Sequence, residues 1–383
     1  MAEQRVRIAS VDIMRGLIMV VMALDHTRDY WTNAAFDPTD PKTTTVAYFF
    51  TRSITHLCAP WFMLLAGTGS ALSLGRGRDK AALAKFLVTR GLWLIILELT
   101  LVNVEWKLNV YDPTFMRAMV LCALGASMLV LAALVYMPRW FVLAFAVVLI
   151  GGHNLLDHVK PEQLGSFAWL WTILHQVGVI GAEPYKGWSL FVLYPLVPWL
   201  GVMALGYWAG PYVESIAPER RARTFALVGV ALLAVFAVVR GLDRYGDPAP
   251  REALATTAQT IMSFLDVSKY PPSLDFLLLT IGVGLVVLAA IEATIAARPW
   301  RVLRTFGRVP MFYYLVHVAL ISGAFKIASR IALGHWIHDD ETWGFGLPVV
   351  YALWIVYVVA LYPLCRWFEG VKARRRDWWL GYL

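Results

Sequence analysis

Charged side chains are scarce in this 383-residue chain. Asp, Glu, Lys and Arg make up 16% of the residues, whereas soluble domains carry roughly 25%. Cysteine is rare as well, and Cys58, Cys122 and Cys365 each lie inside an apolar run. This pattern argues against a disulfide framework, and cysteines so far apart in sequence do not form the clustered ligands of a zinc site. We therefore predict no metal.

A cleavable signal sequence is not expected at the N-terminus. The apolar run over residues 13–24 is short, Arg15 interrupts it, and no small-residue cleavage site follows. We expect this segment to form the first transmembrane helix.

Long apolar runs dominate the rest of the chain. Hydrophobic residues make up 59% of it, with 17 Trp and 16 Tyr, and these two aromatics gather where helices meet lipid headgroups. A hydrocarbon core of ~30 Å needs about 20 residues of helix. We predict an all-α polytopic membrane helical bundle that forms a single domain over residues 1–383. About ten transmembrane helices are predicted, at 8–31, 48–75, 83–104, 115–136, 139–156, 188–210, 223–240, 273–296, 309–333 and 347–368.

The basic residues, which give a net charge of +8, lie in alternate connecting segments. They cluster at 5–7, 76–85, 139, 220–223, 298–304 and 372–376. The other connections are acidic and include Asp37, Glu162, Asp247 and Asp340. The positive-inside rule then predicts cytoplasmic termini and acidic outer loops, in a multi-pass protein of the inner (cytoplasmic) membrane. Because membrane orientation explains the basic clusters, we predict no nucleic-acid partner.

The first predicted helix carries the clearest functional signal. It contains Ser10-Val-Asp12-Ile-Met-Arg15-Gly16 and, further on, Asp25-His26-Thr-Arg28-Asp29. At about 3.6 residues per turn, Arg15 and His26 are close to three turns apart, on one face and ~16 Å from each other. Asp12 can pair with Arg15. Ionisable residues at this depth usually face a bundle interior or an aqueous cavity. The alternative is an ion pair that only fixes the helix end, with His26 at the membrane interface.

Two further histidines are candidates. His56 is predicted at a depth similar to that of His26, and Pro60, one turn later, should bend the helix and free carbonyl groups beside a cavity. Tyr313 and His317 are four residues apart and share a helix face. In each case a histidine that is satisfied by its neighbours and has only a structural role is the alternative.

Weaker candidates lie elsewhere in the chain. Glu98 and Glu105 share a face of the third helix, with Asn103 nearby. The remaining candidates are the scattered residues His153, His158, His335, His338, Asp339, Asp340 and Glu341. We expect those in loops to be solvated rather than metal-bound.

The order of the motifs resembles the heparan-α-glucosaminide N-acetyltransferase family, in its bacterial branch, within the transmembrane acyltransferase superfamily. The first helix, Ala59-Pro60-Trp61-Phe62 with Ala66-Gly67, Lys269-Tyr-Pro-Pro-Ser273, and Gly307-Arg308-Val-Pro310 with His317 carry the resemblance. The spacing of Arg15 and His26 is similar to that in membrane O-acyltransferases that act on surface polysaccharides, in which the matching Arg and His are regarded as functional.

One feature departs from the family pattern. In the lysosomal members, the proposed catalytic His lies between the first two spans, whereas residues 32–47 contain no His here. Where His56 stands, those members have Asp. The resemblance therefore does not transfer that catalytic position, and it does not identify the acceptor.

The resemblance implies an acyltransferase that moves an acyl group, in our prediction acetyl, from cytoplasmic acetyl-CoA to an amine or hydroxyl of an extracytoplasmic sugar or glycan. The predicted catalytic residues are His26, His56, Asp25 and Asp29, with His26 as general base and Asp29 orienting it. The predicted donor-binding residues are Asp12, Arg15, Tyr313, His317 and Arg308. A proton-coupled transporter or flippase is the alternative, because buried Asp, Arg and His also build proton relays. The sequence is compatible with a homo-oligomer.

Overall fold

The computed structural model describes residues 8–106, 114–181, 187–337, 341–375 and 377–383. Arg5 and Arg7 of the cluster at 5–7, Arg376 of the cluster at 372–376, and His338, Asp339 and Asp340 lie outside the described residues. The α-helices are α1 Ala9–Trp31, α2 Val46–Thr55, α3 Cys58–Gly75, α4 Lys80–Leu97, α5 Asn103–Trp106, α6 Val120–Leu134, α7 Arg139–Gly151, α8 Ala168–Leu174, α9 Leu196–Ser215, α10 Pro218–Leu242, α11 Thr257–Leu265, α12 Leu274–Ala293, α13 Pro299–Arg308, α14 Pro310–Leu333 and α15 Leu347–Arg374. A π-helical turn, Glu98–Val102, joins α4 to α5, and 3-10 turns cover His153–Leu156, Pro161–Phe167 and Trp378–Gly381.

The fold is mostly helical, but the all-α prediction was wrong in one respect. Three short strands, β1 Phe115–Ala118, β2 Gly178–Ile180 and β3 Ser189–Val192, form a sheet in the order β1-β3-β2. β3 pairs parallel with β1 and antiparallel with β2. The predicted helices at 115–136 and 188–210 therefore begin as strands. These apolar residues pair their backbone groups with a neighbouring strand, which satisfies the groups as well as a helix does.

Each of the ten predicted spans contains a helix, but not every one of these helices is by itself long and apolar enough to cross a membrane. Six helices among the described residues are long and apolar enough to cross a membrane. They are Val46–Gly75, Lys80–Trp106, Pro218–Leu242, Leu274–Ala293, Pro310–Leu333 and Leu347–Arg374. The first joins α2 and α3 through the turn at His56, and the second joins α4 and α5. The chain is therefore a multi-pass membrane protein, while the count of ten and the cytoplasmic termini remain predictions.

α1 lies at the centre of the bundle. It packs against α2, α3, α12, α13, α14 and α15, and most of its residues are buried, including Asp12, Asp25 and Arg28. These surrounding helices shield its charges from lipid, which explains how a helix with so many ionisable residues can lie inside an apolar bundle.

α1 and α14 run side by side in the same direction. Arg15 contacts Gly307, just before α14, and His26 contacts His317 on α14. The two ends of this pair of helices are called the Arg15 end and the Asp29 end below.

Candidate functional site

Arg15 is held by its own helix and by α13. Its Nη1 donates to Asp12 Oδ1 at 3.2 Å and to the carbonyl oxygen of Gly307 at 3.0 Å. The backbones cross very closely here, since a Cβ atom on Gly16 would lie 1.7 Å from the carbonyl oxygen of Leu303. The predicted Asp12–Arg15 pair is confirmed, and the small residue after Arg15 is what allows α13 to reach it.

A cavity of 390 Å³, here called the Arg15 cavity, opens beside this residue. Its cationic lining residues are Arg15, Arg78, Arg90 and Lys372. Its apolar walls come mainly from α1, α3, α4, α6 and α14 and include Met19, Phe62, Leu65, Leu124, Met311 and Tyr314. Positive charge next to apolar walls suits a ligand that has both anionic groups and an extended, weakly polar arm.

His26 lies next to His317 at the Asp29 side of this cavity. His26 Nδ1 and His317 Nε2 are 2.8 Å apart, and the two rings stack with their centroids 4.9 Å apart. His317 Nδ1 lies 3.0 Å from the carbonyl oxygen of Tyr313. His26 is 9% exposed, and His317 is completely buried. As their spacing of about three helical turns predicts, Arg15 and His26 lie on the same side of α1. Arg15 contacts α13 and His26 contacts α14.

Two aromatic rings flank His26 edge-on. The Tyr314 ring centroid is 6.4 Å from that of His26, and the Trp106 centroid is 4.6 Å away. Tyr314 lines the Arg15 cavity. Trp106 lines a different cavity of 390 Å³ at the Asp29 end, here called the Trp106 cavity, which also includes Asp29 and Arg117. His26 therefore lies between residues that line cavities at opposite ends.

Asp25 is the centre of an ion-pair network. It accepts hydrogen bonds from Arg52 Nη1 at 2.7 Å to each carboxylate oxygen, from Arg28 Nη2 at 3.0 Å and from the Thr55 hydroxyl at 2.8 Å. Two guanidinium groups and a hydroxyl group therefore donate to the carboxylate of Asp25, a residue that is 9% exposed. Such a group is suited to holding α1 against α2, and its catalytic role stays a prediction.

Asp29 and His56 lie at a third cavity. This His56 cavity measures 420 Å³, and its polar lining residues are Arg28, Asp29, Asp37, Thr39, Arg52, His56, Asp266, Ser268, Lys269 and Tyr270. The Asp29 carboxylate pairs with Arg28. The hydrogen-bond partner of His26 is His317, not Asp29 as predicted. His56 occupies the turn between α2 and α3 and packs against Phe276. The spacing of Arg15 and His26 predicts that both line one cavity, with His56 and His317 facing it. This was wrong, because Arg15 and His56 line separate cavities, and neither His26 nor His317 is among the residues that line them.

The ionisable groups around the His56 cavity include a carboxyl group with a shifted pKa. Asp266 follows α11, outside the membrane-crossing helices. Burial, together with the neighbouring carboxylates of Asp247 and Asp37, raises the pKa of Asp266 to about 6. Lys269 is 8% exposed and lies over the Tyr270 ring.

Four of the five predicted donor-binding residues do not line the Arg15 cavity. Asp12 pairs with Arg15 next to it. Arg308 forms an ion pair with Glu369 of α15. Tyr313 is fully buried and packs between Phe306 and His317. His317 is buried behind His26. Their role in binding a donor stays a prediction, and within the described residues their visible contacts are with neighbouring protein groups.

Several of the weaker candidates among the described residues have structural contacts. Glu98 Oε2 accepts hydrogen bonds from the backbone N–H groups of Leu121 and Cys122, at the start of α6. The Asn103 side chain pairs with the backbone of Arg117 in β1. His335 bonds to Glu341, and among the described residues no cluster of His, Cys, Asp and Glu is suited to a metal ion.

Sequence reasoning missed Arg52, Arg90, Tyr314 and Trp106. Arg90 had a usable signal, because it is a charged residue inside the predicted span 83–104. Arg52 stands four residues before His56 and could have been paired with Asp25 on the same grounds. The aromatic pair had no such signal, since Trp and Tyr are common throughout the chain.

The structure thus places a buried histidine pair between residues that line two cavities of a multi-pass helical membrane protein. The sequence profile described as "heparan-alpha-glucosaminide N-acetyltransferase, catalytic" matches residues 7–242. The chain belongs to this acetyltransferase family. The match includes Arg15, His26 and His56 but ends before His317, so the similarity of the later motifs stays a prediction. No curated protein matches the chain.

Proposed function

We propose that the protein transfers an acetyl group from acetyl-CoA to an amine or hydroxyl group of a sugar or glycan. The donor binds in the Arg15 cavity from the cytoplasm, and the acceptor enters at the Asp29 end from outside the inner membrane. The observation that carries the proposal is the position of His26, one aromatic ring away from the Arg15 cavity.

The Arg15 cavity has the chemistry that a CoA thioester requires. Phosphate groups of the nucleotide would pair with the guanidinium groups of Arg78 and Arg90, which offer several N–H donors in a fixed geometry. The pantetheine arm would then lie along Met19 and Met311, toward Tyr314. From Arg15 to His26 the helix rises by ~16 Å, so the thioester end would approach the histidine pair.

The chemical step is nucleophilic acyl transfer. The acceptor oxygen or nitrogen attacks the thioester carbonyl carbon while His26 removes its proton, and the carbon–sulfur bond then breaks. CoA leaves as the thiolate and takes up the proton to become the free thiol. A positioned general base contributes ~10²–10⁴-fold to such a reaction. Direct transfer of this kind needs no covalent acetyl-histidine.

The acceptor would reach His26 from the Asp29 end. The His56 and Trp106 cavities share Asp29 and carry charged side chains of both signs, including Arg117, Asp266 and Lys269. Polar, ionisable walls of this kind suit a hydrophilic sugar better than a lipid tail. His56 would position the acceptor rather than act as the base.

The test is a thiol-release assay on purified protein in detergent micelles. With acetyl-CoA and glucosamine, we expect time-dependent free CoA thiol and an acetylated sugar detected by mass spectrometry. His26→Ala should abolish the signal, while His158→Ala, at an exposed position that lines none of the three cavities, should retain it. A protein that has no affinity for acetyl-CoA but moves a solute across proteoliposomes would contradict the proposal and support the transporter alternative.

A further inference from the structure

The hydrogen bonds of the histidine pair determine which nitrogen atoms carry protons. His317 Nδ1 lies 3.0 Å from the carbonyl oxygen of Tyr313. A carbonyl oxygen can only accept a hydrogen bond, so His317 Nδ1 must carry a proton. In the neutral ring, His317 Nε2 then has the lone pair.

The same reasoning applies to the next contact. His317 Nε2 is 2.8 Å from His26 Nδ1, and because Nε2 is the acceptor, His26 Nδ1 must be the donor. The proton of His26 is therefore on Nδ1, and its Nε2 has the free lone pair. Only this tautomer of neutral imidazole can remove a proton through Nε2.

If His317 were protonated on both nitrogen atoms, its Nε2 would donate to His26 Nδ1 instead of accepting from it. The surroundings of the His317 ring do not stabilise such a positive charge. The ring is completely buried and is surrounded by His26, Tyr313 and Tyr314. The carboxylate of Asp25, next to His26 in sequence, is already occupied by Arg28 and Arg52. A buried imidazolium without a carboxylate partner is strongly unfavourable.

We propose that His317 is a positioning residue that holds His26 in the Nδ1-protonated tautomer, through the chain of hydrogen bonds from His26 to His317 to the Tyr313 carbonyl. This inference rests on the proposed role of His26 as general base. His317 is completely buried and lines none of the three cavities, so in this proposal it acts through His26.

Two substitutions separate the two hydrogen bonds of His317. The side-chain oxygen of Gln reaches the place of Nε2, so His317→Gln keeps an acceptor for His26 Nδ1. The shorter Asn reaches only the place of Nδ1, so His317→Asn keeps a donor to the Tyr313 carbonyl and loses the acceptor for His26. Both variants put a neutral amide into the same buried space, which makes them matched controls for folding.

The first readout is turnover with saturating acetyl-CoA. Because a base in the wrong tautomer typically loses ~10²–10⁴-fold in rate, we expect kcat to fall at least a hundredfold in His317→Asn. His317→Gln should stay within about tenfold of the native protein. The KM for acetyl-CoA should change little in either variant. Equal kcat values in the two variants, with both proteins folded, would overturn the proposal.

The second readout does not depend on activity. In protein labelled with ¹⁵N at its eight histidines, the His26 signals are identified by their loss in His26→Ala. We expect a protonated Nδ1 and an unprotonated Nε2 in the native protein and in His317→Gln, and a mixture of tautomers in His317→Asn. A protonated Nε2 in the native protein would refute the proposal. If the tautomers are as expected but His26→Ala remains active, the proposed function of His26 fails while the hydrogen-bond chain stands.

Discussion

Gly16→Ala should weaken both the fold and the donor site, because the crossing of α1 and α13 leaves no space for a side chain. The added Cβ would lie 1.7 Å from the carbonyl oxygen of Leu303, whereas real contacts of this kind stay above 3.0 Å. The two backbones would therefore separate by about 1 Å, at a cost of about 3 kcal/mol, the upper part of the range for overpacking.

The functional consequence follows from the neighbouring side chain. Arg15 reaches the Gly307 carbonyl across this same crossing, so moving α13 displaces its guanidinium group. A misplacement of about 1 Å in a reacting complex can cost ~10²-fold in rate. We expect kcat/KM for acetyl-CoA to fall by about tenfold or more, with a lower midpoint of thermal unfolding in the same micelles.

Two other glycines provide the comparison. Gly307→Ala should act like Gly16→Ala, because its Cβ would lie 1.8 Å from the carbonyl oxygen of Asp12. Gly323→Ala, in the interior of α14, meets no atom within 4 Å and should be neutral or stabilising by about 0.5–1 kcal/mol. If Gly16→Ala unfolds at the native temperature and binds acetyl-CoA normally, the close crossing does not position Arg15.

The remaining predictions concern His26 and His56, the ion-pair network of Asp25 and the carboxyl group of Asp266. His26→Ala should reduce turnover ~10²–10⁴-fold, with little change in acetyl-CoA affinity measured by calorimetry. His56→Ala should reduce turnover less. If His56→Ala has the lower turnover of the two variants, the proposed roles of His26 and His56 are exchanged. Arg52→Met should destabilise the protein by about 3–5 kcal/mol, measured by denaturant unfolding, because it leaves the buried Asp25 carboxylate with one cation fewer. The pKa of Asp266 is raised to about 6, above its unfolded value of about 4, so its contribution to stability is present below pH ~4 and is lost as the pH rises through ~6. Asp266→Asn should remove that decline, on the order of 2 kcal/mol, and a decline that persists in the variant would assign it to another group.

Helix periodicity predicted the main features of α1. The face that carries Asp12, Arg15 and His26 depends only on the rise and turn of a helix, which the backbone imposes on any helical sequence. The Asp12–Arg15 pair and the common orientation of Arg15 and His26 therefore follow from spacing alone. The apolar runs likewise predicted where helices lie, because lipid requires each segment to satisfy its own backbone groups.

Contacts between distant segments were beyond the sequence. The partner of His26 was expected at Asp29, one turn along the same helix, but His317 lies 291 residues away and reaches it through the packing of α14 on α1. The strands β1 and β3 were missed for a similar reason. Phe115–Ala118 and Ser189–Val192 are too short and too close to apolar helices for their periodicity to distinguish a strand from the start of a span.

The arrangement of the cavities favours group transfer over transport. A transporter must pass a whole solute through the protein. In this protein, its conformational change would have to open a path as wide as the solute between the Arg15 end and the Asp29 end. Here Tyr314, His26, His317 and Trp106 pack together between the Arg15 cavity and the Trp106 cavity. Transfer requires only that a small acyl group and one nucleophilic atom meet at this cluster, while the bulk of the donor and the acceptor remain in their own cavities. Because the packed cluster contains His26, the general base of the proposed reaction, we interpret it as the reaction site rather than as a closed gate.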